Sequence, residues 1–301
     1  MRRVFTRPLW WWERRRNYGI RSRFNRLPPL PVSPARRSLV VLTTPQSFRD
    51  AIWTAWSWYR FLNHEEFELQ FVTSAELDKA AIAAIQKVFP GVRIREAESV
   101  IAVANLSVPG MESFVRDHPL GAKFGIILAL SQQNDILYTD HDVLAFNSPA
   151  ELLSCVESAM PSYMLEEVEG NLDCAITKRL DMRGIAYFDK FNSGLLYVPE
   201  GALSLDLAQE LLELWSPTYL SWYTEQTFLS ILMRNANAVA LPSDRYVISA
   251  RRQFYWEKDV DYCAIVARHF TGTVRHVMYK FGMPEILRQS SGNCPEGVDW
   301  N

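Results

Sequence analysis

Cysteine is scarce in this sequence and long apolar runs are missing from it, and each absence excludes classes of protein. The 301 residues include four widely scattered cysteines with no C-x-x-C pair: Cys155, Cys174, Cys263 and Cys294. This spacing argues against a disulfide framework or a cysteine zinc site, and it is typical of reduced cysteine in a cytosolic protein. No apolar run approaches the roughly 18 residues that a membrane-spanning helix requires.

The start of the chain also lacks the pattern of a secretory signal. Such a signal needs an apolar stretch after its basic residues, whereas here the letters LWWW are followed at once by ERRR. Together with the cysteine usage, this pattern predicts a cytoplasmic protein. The sequence is 48% hydrophobic, which is enough to bury a large core.

Charge is divided unevenly along the chain. The net charge is −2, yet residues 1–37 contain eleven arginines and one glutamate. This segment therefore carries about +10 and the remainder about −12, which makes it a basic arm on a mildly acidic body. Because nucleic-acid binding needs a basic face and only the arm offers one, we predict no nucleic-acid partner.

The basic arm, residues 1–37, also concentrates tryptophan and proline. Trp10, Trp11 and Trp12 stand among its arginines, and four of its five prolines lie in LPPLPVSP. The pattern predicts a partly helical arm followed by an extended proline-rich linker. Tryptophan among arginines favours peripheral contact with an anionic membrane, here the inner face. The alternatives are a disordered tail, or an arm that packs on its own body or on another protein.

Strand-like and helix-like segments alternate through the first half of the body. Strands are predicted at SLVVLTT (38–44), FELQFVTS (67–74), GVRIREA and DILYTD (135–140), with helices between them. The helix after the second strand is predicted to open with a capping box at Ser74. This alternation predicts an α/β fold with a mostly parallel central sheet and helices on both faces. In such sheets ligands bind at the carboxyl ends of strands.

The second half is predicted to continue the same domain with mixed elements. DCAITK and FNSGLLYVP are strand-like, whereas LSLDLAQELLELW and YTEQTFLSILMRN have the spacing of amphipathic helices. We therefore predict three parts: the arm at residues 1–37, one domain over residues 38–287, and a polar tail at residues 288–301.

The apolar run ILYTDHDVLAF, residues 136–146, contains two acids with a histidine between them. If the strand continues, Asp140 and Asp142 point together and His141 points away. Two converging carboxylates repel each other unless a cation or a proton lies between them. Oxygen ligands open to water suit Mn²⁺ or Mg²⁺, which commonly bridge to phosphate oxygens. The alternative is a pair of solvated acids at a strand end.

A second candidate segment is HFTGTVRH, residues 269–276. His269 offers a nitrogen ligand for the same ion. Gly272 allows close approach of the backbone to a ligand, and the planar guanidinium of Arg275 suits a phosphate. A histidine buried in the core for packing alone is the alternative, and His276 is a near neighbour that offers the same chemistry.

Four motifs follow one another along the chain: ILYTDHDVLAFNSP, FNSGLLYVP, YTEQTFLSIL and HFTGTVR. In this order and spacing they resemble the GT-A-fold glycosyltransferases, in particular the retaining group that contains glycogenin and the bacterial lipopolysaccharide galactosyl- and glucosyltransferases. That group has a strand ending in D-x-D, then F-N-[SA]-G, then an acid–Gln pair opening a helix, then H-F-x-G-x-x-K. The resemblance spans roughly residues 38–285 and implies a GT-A fold for that domain.

The resemblance also implies a role for each matching residue. The implied metal ligands are Asp140, Asp142 and His269. The implied donor-binding residues are Thr43, Thr44, Lys123, Asp140, Ser193, Gly272 and Arg275. The residues implied to act at the sugar are Asn192, Glu225 and Gln226.

The activity implied is that of a metal-dependent glycosyltransferase with Mn²⁺ or Mg²⁺ as cofactor. Its donor would be a nucleotide-sugar, in this group a UDP-sugar, its acceptor a saccharide, a lipid-linked or a protein group, and the transfer would retain configuration. The sequence departs from the family where Arg275 replaces a Lys and Glu225 an Asp, and at Thr227 and Ser230. These departures leave one alternative open: a catalytically silent GT-A-like nucleotide-binding protein that the arm recruits to a membrane or partner.

Two other classes fit the sequence less well. Sugar-nucleotide nucleotidyltransferases usually carry a glycine-rich phosphate loop after the first strand, and LTTPQSF contains no glycine. Haloacid-type phosphotransferases follow their D-x-D with a threonine one residue on, which DHDVLAF lacks.

Overall fold

The computed structural model describes most of the chain. The described residues are 15, 17–104, 108–166, 171–218, 221–248 and 260–291. The tryptophans of the basic arm and most of the predicted tail at residues 288–301 lie outside these ranges. Across the part that is described, none of the helices combines the length and the apolar character that crossing a membrane requires.

The strands form one large sheet and one small one. In chain order they are β1 Arg37–Thr43, β2 Phe67–Thr73, β3 Arg93–Glu96, β4 Ile136–Thr139, β5 Val143–Ala145, β6 Ser162–Met164, β7 Asn192–Val198, β8 Val239–Leu241, β9 Tyr246–Ile248 and β10 Ala267–His269. The large sheet has the order β3-β2-β1-β4-β7-β6-β8, and the small one has the order β5-β10-β9.

The large sheet is mostly parallel, as the alternation of segments predicts. Strands β3, β2, β1 and β4 all run in one direction. Only β7 is reversed, because it pairs antiparallel with both β4 and β6, while β8 is again parallel to β6. The carboxyl ends of β1 and β4 therefore lie at one edge of the sheet, together with the beginning of β7.

Helices cover both faces of this sheet. They are α1 Phe48–Tyr59, α2 Lys79–Val88, α3 Ala97–Val103, α4 Met111–Asp117, α5 Gly121–Ser131, α6 Ala150–Glu157, α7 Cys174–Arg183, α8 Leu205–Leu214, α9 Thr224–Asn235, α10 Arg275–Val277 and α11 Met283–Ser290. A π-helical turn, Met278–Gly282, joins α10 to α11, and 3₁₀ turns occupy Tyr18–Arg26 and Gly272–Val274.

Successive residues of the central strands face opposite layers of the core. In β1, Leu39 and Val41 pack in the layer that contains Trp53 of α1, whereas Val40 packs in the layer that contains Phe124 of α5. Because both faces are covered, β1 and β4 are apolar in nearly continuous runs rather than alternately apolar and polar. The fold class predicted from the sequence is confirmed.

The proline-rich segment before β1 packs along the body instead of leaving it. Leu30 N donates to Val88 O at 2.8 Å and Val32 N to Pro90 O at 2.7 Å. A side chain at Gly91 would place its Cβ only 2.4 Å from Val32 O, and Gly91 has a φ of +86°. Glycine is therefore required where this segment crosses the end of α2. Of the alternatives left open by the sequence, packing on the body applies from residue 17 onward.

Arg21, in the 3₁₀ turn before the proline-rich segment, is buried against α1 and the C-terminal helical segment. Its Nε lies 2.5 Å from Asp50 Oδ1 and its Nη2 donates to Gln46 O at 2.7 Å. Tyr279 donates its hydroxyl to the other oxygen of Asp50 at 3.0 Å, and Trp53 Nε1 donates to Arg21 O at 3.0 Å. Asp50 of α1 thus joins the N-terminal segment to the C-terminal helical segment.

Replacing Arg21 with methionine should destabilise the protein strongly. The change leaves the buried carboxylate of Asp50 without its cation, which typically costs about 3–5 kcal/mol. The matched control is Arg23→Met in the same turn, since Arg23 is exposed and its loss should cost less than about 0.5 kcal/mol. Thermal or urea unfolding of both variants measures the difference, and equal losses would contradict the buried pair.

Two local predictions are wrong. The segment DCAITK, predicted as a strand, begins helix α7, whose N-cap Asp173 accepts hydrogen bonds from Ala175 N and Ile176 N. The predicted capping box at Ser74 is not used, because Asp78 caps α2 by accepting from Ala81 N. In both places a nearer aspartate satisfies the first free amide groups of the helix.

Candidate functional site

A short turn between two strands presents the paired acids. Strand β4 ends at Thr139, and β5 begins at Val143. Asp140 N donates to Gly194 O at 2.8 Å and Val143 N donates to Asp140 O at 3.2 Å, so the turn is held at both ends. The acids therefore converge through a turn at the sheet edge, and not through the alternation of a continuing strand as the sequence interpretation assumed.

His269 is brought to these acids by the small sheet. Strand β10 pairs antiparallel with β5, and in this register His269 lies opposite Val143, the residue after Asp142. One ligand atom from each of Asp140, Asp142 and His269 lies within 4.8 Å of the other two. Among the described residues this is the group of acids and histidines that could jointly hold a metal ion, and His141 does not belong to it.

The imidazole of His269 is oriented by Asn192, the first residue of β7. Its Nδ1 lies 2.9 Å from Asn192 Oδ1, which also accepts from Gly194 N at 2.9 Å. An amide oxygen can only accept, so Nδ1 donates to it, and Nε2 is the ring nitrogen that faces Asp142. A Cβ at Gly194 would lie 2.5 Å from the ring, so glycine is needed for this close approach.

Asp142 is buried among positive and polar partners. His269 Nε2 lies 3.3 Å from its Oδ1, and Arg275 forms an ion pair with its Oδ2. Burial alone would raise the pKa of Asp142, but the charge of Arg275 and the contact with His269 outweigh it and hold the pKa well below its usual range. The same ion pair raises the pKa of Arg275. Asp142 is therefore a carboxylate at any ordinary pH.

These three residues fit a divalent cation. Two carboxylates and one imidazole whose Nε2 faces them supply a mixed oxygen and nitrogen ligand set, which suits Mn²⁺ and is compatible with Mg²⁺. The contact of Asn192 with Nδ1 is the outer contact that metal-binding histidines commonly have. The residues present therefore match the metal that the motifs imply, although its identity is not decided by them.

Lys123 of α5 lies at the centre of a second cluster, next to the first. Its Nζ lies 3.0 Å from Asp140 Oδ2, 2.9 Å from Ser193 Oγ and 3.6 Å from Glu225 Oε1. Tyr138 donates its hydroxyl to the other oxygen of Asp140 at 2.6 Å. Lys123 is 3% exposed, and although burial lowers its pKa, Asp140 and Glu225 raise it overall. It is therefore a fixed positive charge between two acids.

Glu225 and Gln226, in the first turn of α9, face the same cluster. Ser193 donates its hydroxyl to Glu225 Oε2 at 3.3 Å and its backbone N to Gln226 Oε1 at 3.2 Å. Gln226 Nε2 donates to Asn171 O at 2.7 Å, so the amide is held at both ends. Glu225 Oε1 is buried and has no hydrogen-bond partner among the described residues. This oxygen can therefore accept a hydrogen bond from a ligand at this site.

The protonation of Glu225 should make stability depend on pH. Burial raises its pKa from 4.5 to about 7 despite the opposing charge of Lys123. The unfolded chain releases this proton at the lower pH, so the folded protein loses stability as the pH rises from about 4.5 to about 7, by about 3 kcal/mol. Glu225→Gln does not titrate, so its stability relative to the wild type should increase over that interval.

Thermal unfolding of metal-free protein between pH 4.5 and 8 measures this effect. Glu76→Gln is the matched control, because Glu76 is exposed and its substitution should give a difference that does not vary with pH. A constant difference for Glu225→Gln as well would show that this carboxyl is not perturbed.

A cleft of about 490 Å³ opens over both clusters. Nine residues predicted from the sequence to belong to the site line this cleft: Lys123, Asp140, Asn192, Ser193, Glu225, Gln226, His269, Gly272 and Arg275. Sequence reasoning missed Glu166, Asn171, Trp222 and Tyr223, which also line it. Trp222 and Tyr223 could have been found from their position just before the Glu225–Gln226 pair, with only Thr224 between them, whereas no sequence feature indicated Glu166, which follows β6. Asp142 is buried and paired with Arg275, and it is not part of the lining.

Comparison with known proteins gives no match by sequence but several by structure. No protein-family model matches the sequence, and none of the curated proteins does. Mouse xyloside xylosyltransferase 1 in its apo form superposes with a TM-score of 0.54 at 13% identity, covering 82% of this chain and 99% of that one. The galactosyltransferase LgtC, in complex with donor and acceptor sugar analogues, gives 0.52 at 14% identity, covering 87% and 98%. The chain has a GT-A fold.

A third GT-A structure, the bifunctional glycosyltransferase WbbM in its apo form, gives a TM-score of 0.55 at 12% identity. The match covers 89% of this chain but 51% of that protein. At these identities the similarity concerns the fold. The resemblance to GT-A glycosyltransferases that the four motifs predict is confirmed, and Asp140, Asp142 and His269 form a D-x-D-like cluster just after β4.

Besides Asp142, two predicted site residues stay outside the cleft lining. Thr43 and Thr44 follow β1 at the same sheet edge as Asp140. Thr44 Oγ1 lies 2.9 Å from Ser47 Oγ and accepts from Ser47 N at 3.2 Å, while the hydroxyl of Thr43 is buried near Ser47. Both hydroxyls thus serve the turn into α1, and a role in binding a base stays a prediction.

Proposed function

We propose that this chain is a metal-dependent glycosyltransferase that uses a nucleotide-sugar, in particular a UDP-sugar, as donor. One observation carries the proposal. Asp140 and His269 line one cleft of a GT-A fold together with Lys123 and Glu225, and the ligand atoms of Asp142 lie within 4.8 Å of those of Asp140 and His269. Asp140, Asp142 and His269 offer ligands for a divalent cation, and Lys123 and Glu225 place one positive charge and one carboxyl group beside them. Transfer of a sugar from a nucleoside diphosphate needs both in one place.

The charges of the cleft match a leaving group that becomes more negative. Lys123 and Arg275 supply two fixed positive charges, held by ion pairs with Asp140 and Asp142. A bound Mn²⁺ or Mg²⁺ would act as a Lewis acid and neutralise charge on the diphosphate. Preorganised charges of this kind do not need to rearrange as the bond to the sugar breaks.

The part of the cleft lined by Glu225 and Gln226 suits the sugar. Glu225 Oε1, which has no hydrogen-bond partner among the described residues, can accept from a sugar hydroxyl, and Gln226 is held rigidly against Ser193 and Asn171. We propose Glu225, Gln226 and Asn192 as the residues at the sugar, with retention of configuration. Retention rests on the motif resemblance, and proton NMR of the product's anomeric signal tests it.

Screening UDP-sugars with Mn²⁺ for release of UDP tests the proposal directly. We expect release from at least one donor, abolished by EDTA and restored by added Mn²⁺. Nucleotide binding without release from any donor would instead support the silent GT-A-like protein. Full activity in EDTA would contradict the metal role.

Asn192 should control metal affinity through His269. Asn192→Ala removes the acceptor that orients Nδ1, and loss of such an outer contact typically weakens metal binding by about 10–100-fold. Asn171→Ala is the matched control, because that residue reaches Gln226 only through its backbone oxygen. Calorimetric titration of Mn²⁺ without donor measures both, and similar affinities would show that Asn192 does not orient the ligand.

We also propose that the protein is cytoplasmic and that its basic arm, residues 1–37, contacts an anionic membrane. The charge and the tryptophans of the arm support this. Since Arg21 is buried against Asp50, the contacting part should lie before residue 17. Removal of residues 1–16 should therefore abolish sedimentation with anionic liposomes without unfolding the body, and unchanged sedimentation would reject the membrane contact.

A further inference from the structure

The buried carboxylate of Asp173 joins the beginnings of two helices. Asp173 is 1% exposed, and its Oδ1 accepts from Ala175 N at 3.0 Å and Ile176 N at 3.3 Å in the first turn of α7. Its other oxygen, Oδ2, accepts from the hydroxyl of Thr224 at 2.7 Å, and Thr224 is the first residue of α9. Because capping of α7 uses only Oδ1, the second oxygen is available to hold α9.

The backbone of Asp173 makes a further contact with α9. Asp173 N donates to Thr227 Oγ1 at 2.8 Å, and the hydroxyl of Thr227 donates its own hydrogen to Tyr223 O at 2.8 Å. A hydroxyl has one hydrogen and two lone pairs, so Thr227 satisfies both partners. Thr224 and Thr227 are fully buried. Buried polar groups that are paired in this way hold a single arrangement rigidly.

The two threonines directly flank Glu225 and Gln226, the pair proposed to act at the sugar. Gln226 Nε2 donates to Asn171 O at 2.7 Å, two residues before Asp173, so the same short segment also holds this side chain. On its other side the pair contacts Ser193, whose backbone N donates to Gln226 Oε1 and whose hydroxyl donates to Glu225 Oε2. The direction of both side chains therefore depends on how the first turn of α9 is fixed.

We propose that Asp173 is a positioning residue, which fixes the first turn of α9 so that Glu225 and Gln226 face the sugar during transfer. Asp173 is not among the described residues that line the cleft, so it acts through α9 and not by contact with a substrate. Displacement of reacting groups by about 1 Å through a remote change can reduce a rate by about a hundred-fold. The inference rests on the proposed transferase function and adds a residue that this function needs outside the cleft.

This contact also gives a structural role to two departures from the family pattern, Thr227 and Ser230. Thr227 accepts from Asp173 N, and Ser230 Oγ donates to Thr227 O at 2.8 Å. Both hydroxyls thus contribute hydrogen bonds within α9 or to the segment that holds it. The two departures therefore do not by themselves indicate a catalytically silent protein.

Thr224→Val tests the proposal, because it keeps the shape of the side chain and removes only the hydrogen bond to Asp173 Oδ2. We expect kcat for UDP release to fall at least about ten-fold. The affinity for UDP with Mn²⁺, measured by calorimetry, should stay within about two-fold, because the candidate metal ligands lie on other elements. Thr224→Ser keeps the hydroxyl, so its kcat should stay within about three-fold of the wild type.

Two further variants make the comparison independent of a single substitution. Thr227→Val removes the acceptor of Asp173 N and should reproduce the pattern of Thr224→Val. Thr177→Val is the matched control, because the hydroxyl of Thr177 donates to Cys174 O within α7 and does not reach α9. Its kcat should equal that of the wild type.

Solvent exchange of the Gln226 side-chain amide provides a measurement that needs no activity. In the wild type this amide donates to Asn171 O, and its NMR signal is identified by its absence from Gln226→Glu. Thr224→Val should speed the exchange at least about five-fold by loosening the turn. Thr224→Ser and Thr177→Val should leave it unchanged.

Each other result overturns the positioning role. Wild-type kcat and exchange in folded Thr224→Val would do so, as would equal losses in Thr224→Ser. A loss of UDP affinity as large as the loss of kcat would show general disruption of the fold, which also contradicts the proposal. If the wild type releases UDP from no donor, the proposed function fails, whereas the exchange of the Gln226 amide still decides whether Asp173 holds the turn.

Discussion

Asp142→Ala should reduce UDP release by at least about a thousand-fold, to the level of the wild type in EDTA. Asp142 is the residue that contacts both His269 and Arg275, so its removal takes one ligand from the metal group and leaves the guanidinium without its partner. The loss should appear in kcat, because charge on the leaving group develops mainly in the transition state. Mn²⁺ binding measured by calorimetry should fall in parallel.

Asp142→Asn is the informative companion to this variant. It keeps the shape and one neutral oxygen, so it should fold like the wild type while still losing most activity. Asp244→Asn, at an exposed acid outside the cleft, controls for removal of one negative charge. If Asp142→Ala folds normally and keeps substantial activity, Asp142 is not a metal ligand that the reaction needs.

Lys123→Met should have the second largest effect. Lys123 is the cation between Asp140 and Glu225, and it lowers the pKa of Glu225 against the effect of burial. Without it, Glu225 becomes protonated over more of the pH range and the cleft loses a positive charge. Removing one preorganised electrostatic contact typically costs about 10²–10³-fold in kcat. UDP release from the best donor, followed between pH 5 and 9, measures both consequences.

Lys123→Arg is the matched variant, since it retains the charge in a larger, planar group. Its activity should exceed that of Lys123→Met, and its pH profile should stay closer to that of the wild type. Unfolding temperatures of both variants identify losses that come from misfolding. If the two variants lose activity equally while remaining folded, the charge of Lys123 is not what the reaction uses.

The central sheet was predictable because apolar patterns and helical spacings are local properties. Strands such as 38–44 and 67–74 are visible in the sequence as runs of β-branched and aromatic residues, and the structure places β1 and β2 there. The helix at Cys174–Arg183 was missed because DCAITK is too short for its period to show, so one N-cap at Asp173 decided its type. Short segments depend on such single contacts.

The site was predictable in part for a different reason. The acids Asp140 and Asp142 stand at the end of an apolar run, where burial disfavours charge, so they could be recognised without a structure. The motif resemblance then indicated His269 and Lys123. We expected the two acids to converge through strand alternation. They converge instead through a turn, in which Asp140 N donates to Gly194 O and Asp140 O accepts from Val143 N. The two-residue alternation of a β-strand does not predict where a side chain points once the chain enters a turn.

By itself, the sequence determined the alternation of strands and helices up to β4, the uneven charge, and the residue types that meet at the sheet edge. The tertiary structure alone decided which partners these residues have: the pairing of β5 with β10 that brings His269 to Asp142, the hold of Asn192 on His269, and the burial of Arg21 against Asp50. These contacts join residues far apart in the chain, and their energy depends on burial and exact direction. Neither quantity is present in a local pattern of residue types.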